Sequence, residues 1–302
     1  MFAELFNKKI LFVSGKGGTG KSAVSALLGL FAAQSGKRVL LAESHAFDKL
    51  APLFGSVPVG HHETELLPKL SCINLDPKRC FAEYVQTHLG LESLYERVFK
   101  SQPVRSLLDA IPGLDETMVL GRLFYTCELS KTSRYDLVIV DSPASGHFLK
   151  VMSTPDAIIQ TGLGGPLVRE VERVKHFLRN PQKAAGVVVC IPEDLVMTET
   201  LEFLPKFGST IPLHLASVIL NRAYSYPPAQ FSNAIQKYFV RKHDATAKAK
   251  AEILQFATEH SQQVHSAYMF PDLELMAEPL NLQKLSDITP LIEELHLASQ
   301  AS

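Results

Sequence analysis

Residues Gly15 to Ser22 read Gly-Lys-Gly-Gly-Thr-Gly-Lys-Ser, between the apolar run Ile10 to Val13 and a stretch rich in alanine and leucine. The spacing satisfies GxxxxGKS, and a strand before it with a helix after it is the context that pattern requires. Such a loop narrows the folds open to the chain, because it works only where a buried strand hands its backbone directly to a helix N-terminus. Gly15, Gly17, Gly18 and Gly20, with Thr19, let backbone N–H groups turn toward phosphate oxygens, and the helix dipole favours the negative charge. Lys21 then reaches the outer phosphates, and Ser22 offers a hydroxyl to a magnesium ion. ATP with Mg2+ is the ligand pair this chemistry fits.

The rest of the chain repeats the strand-then-helix rhythm. Apolar runs at Ile10–Val13, Val39–Ala42, Leu137–Val140, Gly186–Ile191, Ala216–Leu220 and Ala267–Phe270 are mostly apolar throughout rather than alternating. That is the pattern of parallel strands covered by helices on both faces. The expected fold is α/β, a doubly wound, mostly parallel sheet in one domain over residues 1–302. Between Pro77 and Arg134 the pattern is helical, broken near Pro103 and Pro112, which predicts a helical insertion at about 77–134; its apolar positions at helical spacing read as core. A last helix is predicted from Leu282 to Leu297.

A second site segment, Tyr135-Asp136-Leu137-Val138-Ile139-Val140-Asp141, is an apolar strand ending in a carboxylate. At the carboxyl end of a strand beside the phosphate loop, Asp141 is placed to hold the magnesium together with Ser22. Taken by themselves, Asn221 reads as a strand-end turn residue and Glu193 as a helix-start carboxylate.

These segments resemble a known family, the arsenite-pump (ArsA) and tail-anchored-protein targeting (Get/TRC-type) ATPases. The family's second switch reads D-x-x-P-T-G-H-T-L-R; here Asp141, Gly146, His147 and Leu149 match, with Ser145 and Lys150 as conservative replacements. Asp76-Pro77 with Glu83-Tyr84, Ile191-Pro192-Glu193 with Glu199-Thr200, and Asn221-Arg222 resemble further family segments, so the likeness covers nearly the whole chain. It implies a P-loop NTPase of the SIMIBI type that works as a homodimer and couples ATP hydrolysis to a client, a membrane protein or membrane partner among them. Lys16 resembles the second lysine of the deviant Walker A group, which enters the partner's site as an arginine finger does elsewhere. By the same resemblance Glu193 contacts nucleotide across the dimer, the Asn221 amide, both donor and acceptor, meets the adenine edge, and the Phe270-Pro271-Asp272 turn flanks the base.

The chain departs from the family at two places. The first switch usually reads D-P-A-H-S, whereas this sequence reads Glu43-Ser44-His45-Ala46-Phe47-Asp48, with His45 on the expected Asp. Water positioning needs an acceptor in line with the outer phosphate, and Glu43, neutral His45 or a re-registered Asp48 can serve. The CxxC that binds a shared zinc in targeting members is missing; Cys72, Cys80, Cys127 and Cys190 are scattered and read as buried, reduced thiols. His61-His62 reads as a polar loop.

Charge and composition exclude several other classes. Thirty Lys and Arg against thirty-one Asp and Glu give no global field toward nucleic acid or anionic lipid. The N-terminus reaches a strand too soon for a signal peptide and no apolar stretch has membrane-spanning length, so a soluble, cytoplasmic protein is expected. Two rival readings share the loop: a nucleotide-dependent scaffold with negligible turnover, motivated by His45, and a Min- or Par-type positioning ATPase. The latter wants a membrane-seeking C-terminal helix or a basic surface, and IEELHLASQAS supplies neither.

Overall fold

The computed structural model describes residues 2–89, 113–129, 134–160, 165–224, 233–260, 264, 266–271 and 292–295. Helix α1 (Ala3–Phe6) leads into β1 (Ile10–Gly15), whose six residues are all buried. Then follow α2 (Lys21–Gln34), β2 (Val39–Glu43), α3 (Leu50–Leu53), β3 (Thr64–Leu67), β4 (Leu70–Asn74) and α4 (Pro77–Leu89). Helix α5 (Leu114–Phe124) continues into a π-helical turn at Tyr125–Leu129. The chain goes on through β5 (Leu137–Ala144), α6 (Ser145–Gln160), α7 (Pro166–Leu178), β6 (Ala184–Cys190), α8 (Asp194–Phe203) and β7 (His214–Ala223). Helix α9 (Asn233–Glu259) and strands β8 (Ser266–Pro271) and β9 (Glu293–Leu295) complete the described elements.

The strands form one sheet in the order β3-β4-β2-β5-β1-β6-β7-β8-β9. The seven from β4 to β8 run parallel, and the edge strands β3 and β9 pair antiparallel. Strand β1 lies between β5 and β6, where the winding reverses direction, so the loop after it opens at the topological switch point where α/β sheets bind ligands. Period-two alternation divides the core between the two faces. Ile10, Phe12, Val138, Val140 and Val188 point to one face and pack with residues of α4 to α9. Leu11, Val13, Ile139, Val187 and Val189 point to the other, toward α1, α2 and α3. All six strands read from apolar runs are present, and the sheet is the doubly wound one expected.

Within 77–134 the described residues are helical: α4 and α5 pack together, and α5 also lies against α6 and α7. The breaks expected at Pro103 and Pro112 lie outside the described residues. Two edges differ from the sequence reading. Strands β3 and β4 form a hairpin that no apolar run announced. The helix expected over Leu282–Leu297 is not formed where the chain is described, because Glu293–Leu295 is extended and pairs with Met269, Tyr268 and Ala267. Among the described residues, no helix is long and apolar enough to cross a membrane.

Candidate nucleotide and cation site

The loop after β1 is shaped by close approaches that leave no room for a side chain at two glycines. Gly15 has φ +147°, and a Cβ there would lie 2.1 Å from the Val189 carbonyl oxygen of β6. Gly20 has φ +85°, and its Cβ would meet Asn221 Nδ2 at 2.3 Å. Buried Thr19 closes the turn, its Oγ1 donating to the Lys16 carbonyl at 3.0 Å, while Asn221 Nδ2 donates to the Thr19 carbonyl at 2.9 Å. Gly17 and Gly18 face open space. Helix α2 starts at Lys21 without a side-chain cap, so its first N–H groups remain available to an anion. This cradle fits the phosphates of a nucleotide.

Lys21 Nζ donates to the Lys16 carbonyl at 3.0 Å, across the mouth of the loop. Burial lowers its pKa, the neighbouring Asp141 carboxylate opposes that shift, and Lys49 adds to it. Ser22 Oγ donates to Asp141 Oδ2 at 2.5 Å. The second oxygen of this carboxylate, Oδ1, is buried without a hydrogen-bond partner among the described residues. A buried carboxylate oxygen left unpaired is costly, and a hydroxyl beside it completes an oxygen donor set that fits a magnesium ion.

Three more residues lie at the end of β2 and in the segment that follows it. Glu43 closes β2 in direct register with Asp141 and is fully buried. Its Oε1 accepts from the N–H groups of Lys49 at 3.0 Å and Leu50 at 3.1 Å, and Oε2 from Lys49 at 3.0 Å. Burial raises its pKa and Asp141 adds to the rise, against those N–H groups and His45. His45 Nε2 lies 3.7 Å from Asp141 Oδ2. The structure therefore brings Glu43 and His45 to Asp141. Asp48 is engaged elsewhere: Oδ2 accepts from Val59 N and, at 3.0 Å, Gly60 N, while Oδ1 accepts from Asn74 Nδ2 at 2.7 Å. Burial alone would raise the Asp48 pKa, and these three donors outweigh it and lower it.

Asn74, which sequence reasoning passed over, fastens this loop. Its Oδ1 accepts from His45 N at 3.0 Å and its Nδ2 donates to His45 O at 3.1 Å. Its place at the end of an unrecognised strand is the only signal the sequence carried. Lys16 Nζ forms an ion pair with Glu199 Oε1 of the same chain. Glu193 precedes α8 as an exposed residue, and Pro271 ends β8 opposite Ala223.

All four cysteines are unpaired and buried. Burial pushes the thiols of Cys80, Cys127 and Cys190 up to about 12 and raises Cys72 as well, so neutral pH leaves them protonated and poor metal ligands. His61 is more than a polar loop residue, since its Nδ1 accepts from Asp76 N at 2.9 Å and its Nε2 lies 3.0 Å from Glu83 Oε1.

Residues 8–163 match the model of the ArsA ATPases, the anion-transporting ATPases. This chain belongs to that family. The ArsA match runs from β1 through the P-loop and the Glu43–Asp48 segment to the end of α6, and it stops before Glu193, Asn221 and Pro271. The chain is 28% identical over 228 residues to the ATPase BagA of Mycobacterium tuberculosis, covering 73% of this chain and 66% of that protein, just under two thirds of its length. It is 31% identical over 257 residues to ATPase ASNA1 homolog 1 of Paramecium tetraurelia, covering 71% and 74%. The ATPase GET3 of Lachancea thermotolerans is 25% identical over 260 residues, covering 72% and 74%.

Proposed function

We propose that this ArsA-family chain binds and hydrolyses ATP with Mg2+ as a homodimer, and that closure around nucleotide is coupled to a client. The observation that carries the reading is the Ser22–Asp141 contact with its unpaired buried oxygen, set beside a glycine cradle that fits phosphate. Bound ATP supplies the phosphoryl group and the negative charge that the site's cations answer. Ser22 and Asp141 hold the metal; Lys21 Nζ exchanges the Lys16 carbonyl for phosphate oxygens. Lys16 leaves Glu199 and enters the partner's site, where it offsets charge developing on the transferred group. Glu43 or His45 orients the attacking water, and Glu193, Asn221 and Pro271 serve the nucleotide away from the phosphates.

A dimer surface at the carboxyl edge of the sheet is supported by two large apolar side chains held in solvent there, Phe47 at 83% exposure and Leu195 at 66%. Such side chains are commonly covered by a partner. For the client, the class we put forward is a membrane protein or a membrane partner, reached from the cytoplasm, with no nucleic acid involved.

Magnesium-dependent ATP turnover of wild type, Lys16→Ala and Lys21→Ala, with oligomer size recorded in the same samples, tests the reading. Turnover lost in both variants alongside ATP-dependent dimerisation of wild type is the expected result; no nucleotide response in wild type would sink it. A second reading, a scaffold that closes on ATP without turning it over, is favoured by His45 and by the commitment of Glu43 to Lys49 and Leu50. In that case His45→Asp raises turnover sharply, whereas an active enzyme gains little.

A further inference from the structure

Among the described residues, Glu43, His45 and Asp141 each offer one ligand atom, and these atoms all lie within 4.8 Å of one another. Two are carboxylates in register on adjacent strands, 0% and 2% exposed, standing side by side out of water. The third is an imidazole whose loop is held by both hydrogen bonds of Asn74 to the His45 backbone. Asp141 turns Oδ2 to His45 Nε2 at 3.7 Å and keeps its other oxygen, Oδ1, buried and unpaired, so the carboxylate has unspent capacity for a cation. A cleft of about 220 Å³ opens against Glu43, Ser44 and Asp141, giving room for further ligands such as water.

From this arrangement we infer that Glu43, His45 and Asp141 form a binding site for a first-row transition-metal dication of the Mn2+ or Co2+ class, with His45 Nε2 as its nitrogen ligand. The proposal rests on the reading of Asp141 as a cation ligand. It goes beyond that reading in naming His45 and Glu43 as ligands and in the metal preference they impose. Around an ion with bonds of about 2.1 Å, neighbouring ligand atoms stand about 3 Å apart and opposite ones about 4 Å apart. The observed separations close to those values through side-chain adjustments of about an ångström. Magnesium takes oxygen ligands and demands a tight octahedron. An imidazole nitrogen in the set moves preference toward Mn2+, Fe2+, Co2+ and Zn2+, which accept mixed nitrogen and oxygen ligands. A carboxylate at position 45 would give an all-oxygen site, so the histidine is the residue that sets the selectivity.

The test uses Co2+ as the probe on the full, untagged chain without nucleotide, reading visible absorption and calorimetric titration. Expected are one tight Co2+ per chain and weakening of at least about tenfold in His45→Ala, since even loss of an outer partner of a metal ligand costs that much. Asp141→Asn, which keeps the side-chain shape, should lose the same site, and His45→Asp should weaken Co2+ while strengthening Mg2+. Unfolding midpoints in metal-free buffer identify any variant that has not folded. Wild type binding no Co2+, or His45→Ala and Asp141→Asn binding it as tightly as wild type while folded, would overturn the proposal. Lys21→Ala separates this site from the ATPase reading, because it should lose nucleotide yet keep Co2+. Nucleotide binding in wild type without Co2+ binding would leave the ATPase standing and remove the metal site; the reverse would do the opposite.

Discussion

Asn221 Nδ2 donates to the Thr19 carbonyl at 2.9 Å and occupies the space into which a Cβ on Gly20 would project. The end of β7 therefore fixes the shape of a loop 202 residues earlier in the chain. Gly20→Ala is expected to cost about 1–3 kcal/mol, from a side chain at positive φ and the collision with the amide. ATP affinity should fall with it. In Gly20→Ala/Asn221→Ala the collision is gone but the backbone strain remains, so the two losses should sum to more than the double variant shows. Thermal unfolding with nucleotide titration checks both, and strict additivity would count against the contact.

Lys16 and Glu199 form a half-exposed ion pair, with side chains 32% and 41% exposed. A pair of that kind is worth about 0–1 kcal/mol, so Glu199→Gln should leave the fold unchanged. It should nevertheless strengthen ATP-dependent dimerisation, by up to about fivefold, because Lys16 no longer has to leave its own carboxylate. Sedimentation at matched concentrations measures the shift; an unchanged equilibrium would mean that the pair does not compete with the partner.

Acid stability should depend on Asp136. Hydrogen bonds from the Arg38 side chain, at 2.8 and 3.1 Å, and then from the Arg38 backbone, at 2.9 Å, hold its carboxyl down at about 2. A folded-state value below the unfolded one of about 3.9 contributes stability that is fully present above pH about 4 and lost as the pH falls toward 2. Arg38→Ala should thus be less stable than wild type at pH 5, with the gap narrowing by pH 2.5. Solvent screening keeps the effect small at these exposed side chains. Melting curves at pH 2.5, 3.5 and 5 would show the convergence, and a gap constant across that range would refute it.

Arg122 ties three segments together: Nε donates to Glu83 Oε2 at 2.7 Å, Nη2 to Glu63 Oε1 at 3.0 Å, and Nη1 to Thr126 Oγ1. Removing it as Arg122→Met takes the shared cation from two carboxylates, leaving Glu83 with His61 and Glu63 with Tyr135 and Arg134. The expected loss is on the order of 2–4 kcal/mol, somewhat below that of a fully buried pair, because the Glu83 side chain is 42% exposed. Adding Glu83→Gln should recover part of it in denaturant unfolding. No recovery would place the loss in packing rather than charge.

The interior of the sheet was legible because its strands are buried on both faces and so read as continuous apolar runs. The hairpin was not. Thr64–Leu67 is a short, partly exposed edge strand, and Leu70–Asn74 mixes Ser, Cys and Asn among its apolar residues. Glu293–Leu295 has a helix-forming composition and becomes a strand only by pairing with β8, a case of tertiary context overriding propensity. At the proposed site, Gly15–Ser22 and Asp141 are local patterns that a sequence displays, and the structure brings them into contact through Ser22. Asn74, the Lys16–Glu199 pair and the hold of Asn221 on Thr19 are contacts between separated segments, and a single sequence carries no sign of which residues meet. Asp48 stood out as an acid near the right place, yet its oxygens fold the loop around Val59, Gly60 and Asn74.

Helix α6 begins at Ser145, four residues beyond Asp141, with no loop between strand and helix, and lies along α5 and α7. Its sixteen residues, Pro155 among them, span about 24 Å from a start close to Asp141, the proposed cation ligand. A rotation of about 5° at that start would sweep the far end by about 2 Å. A sub-ångström event at one carboxylate would thus be magnified along the helix into a shift that its neighbours α5 and α7 feel.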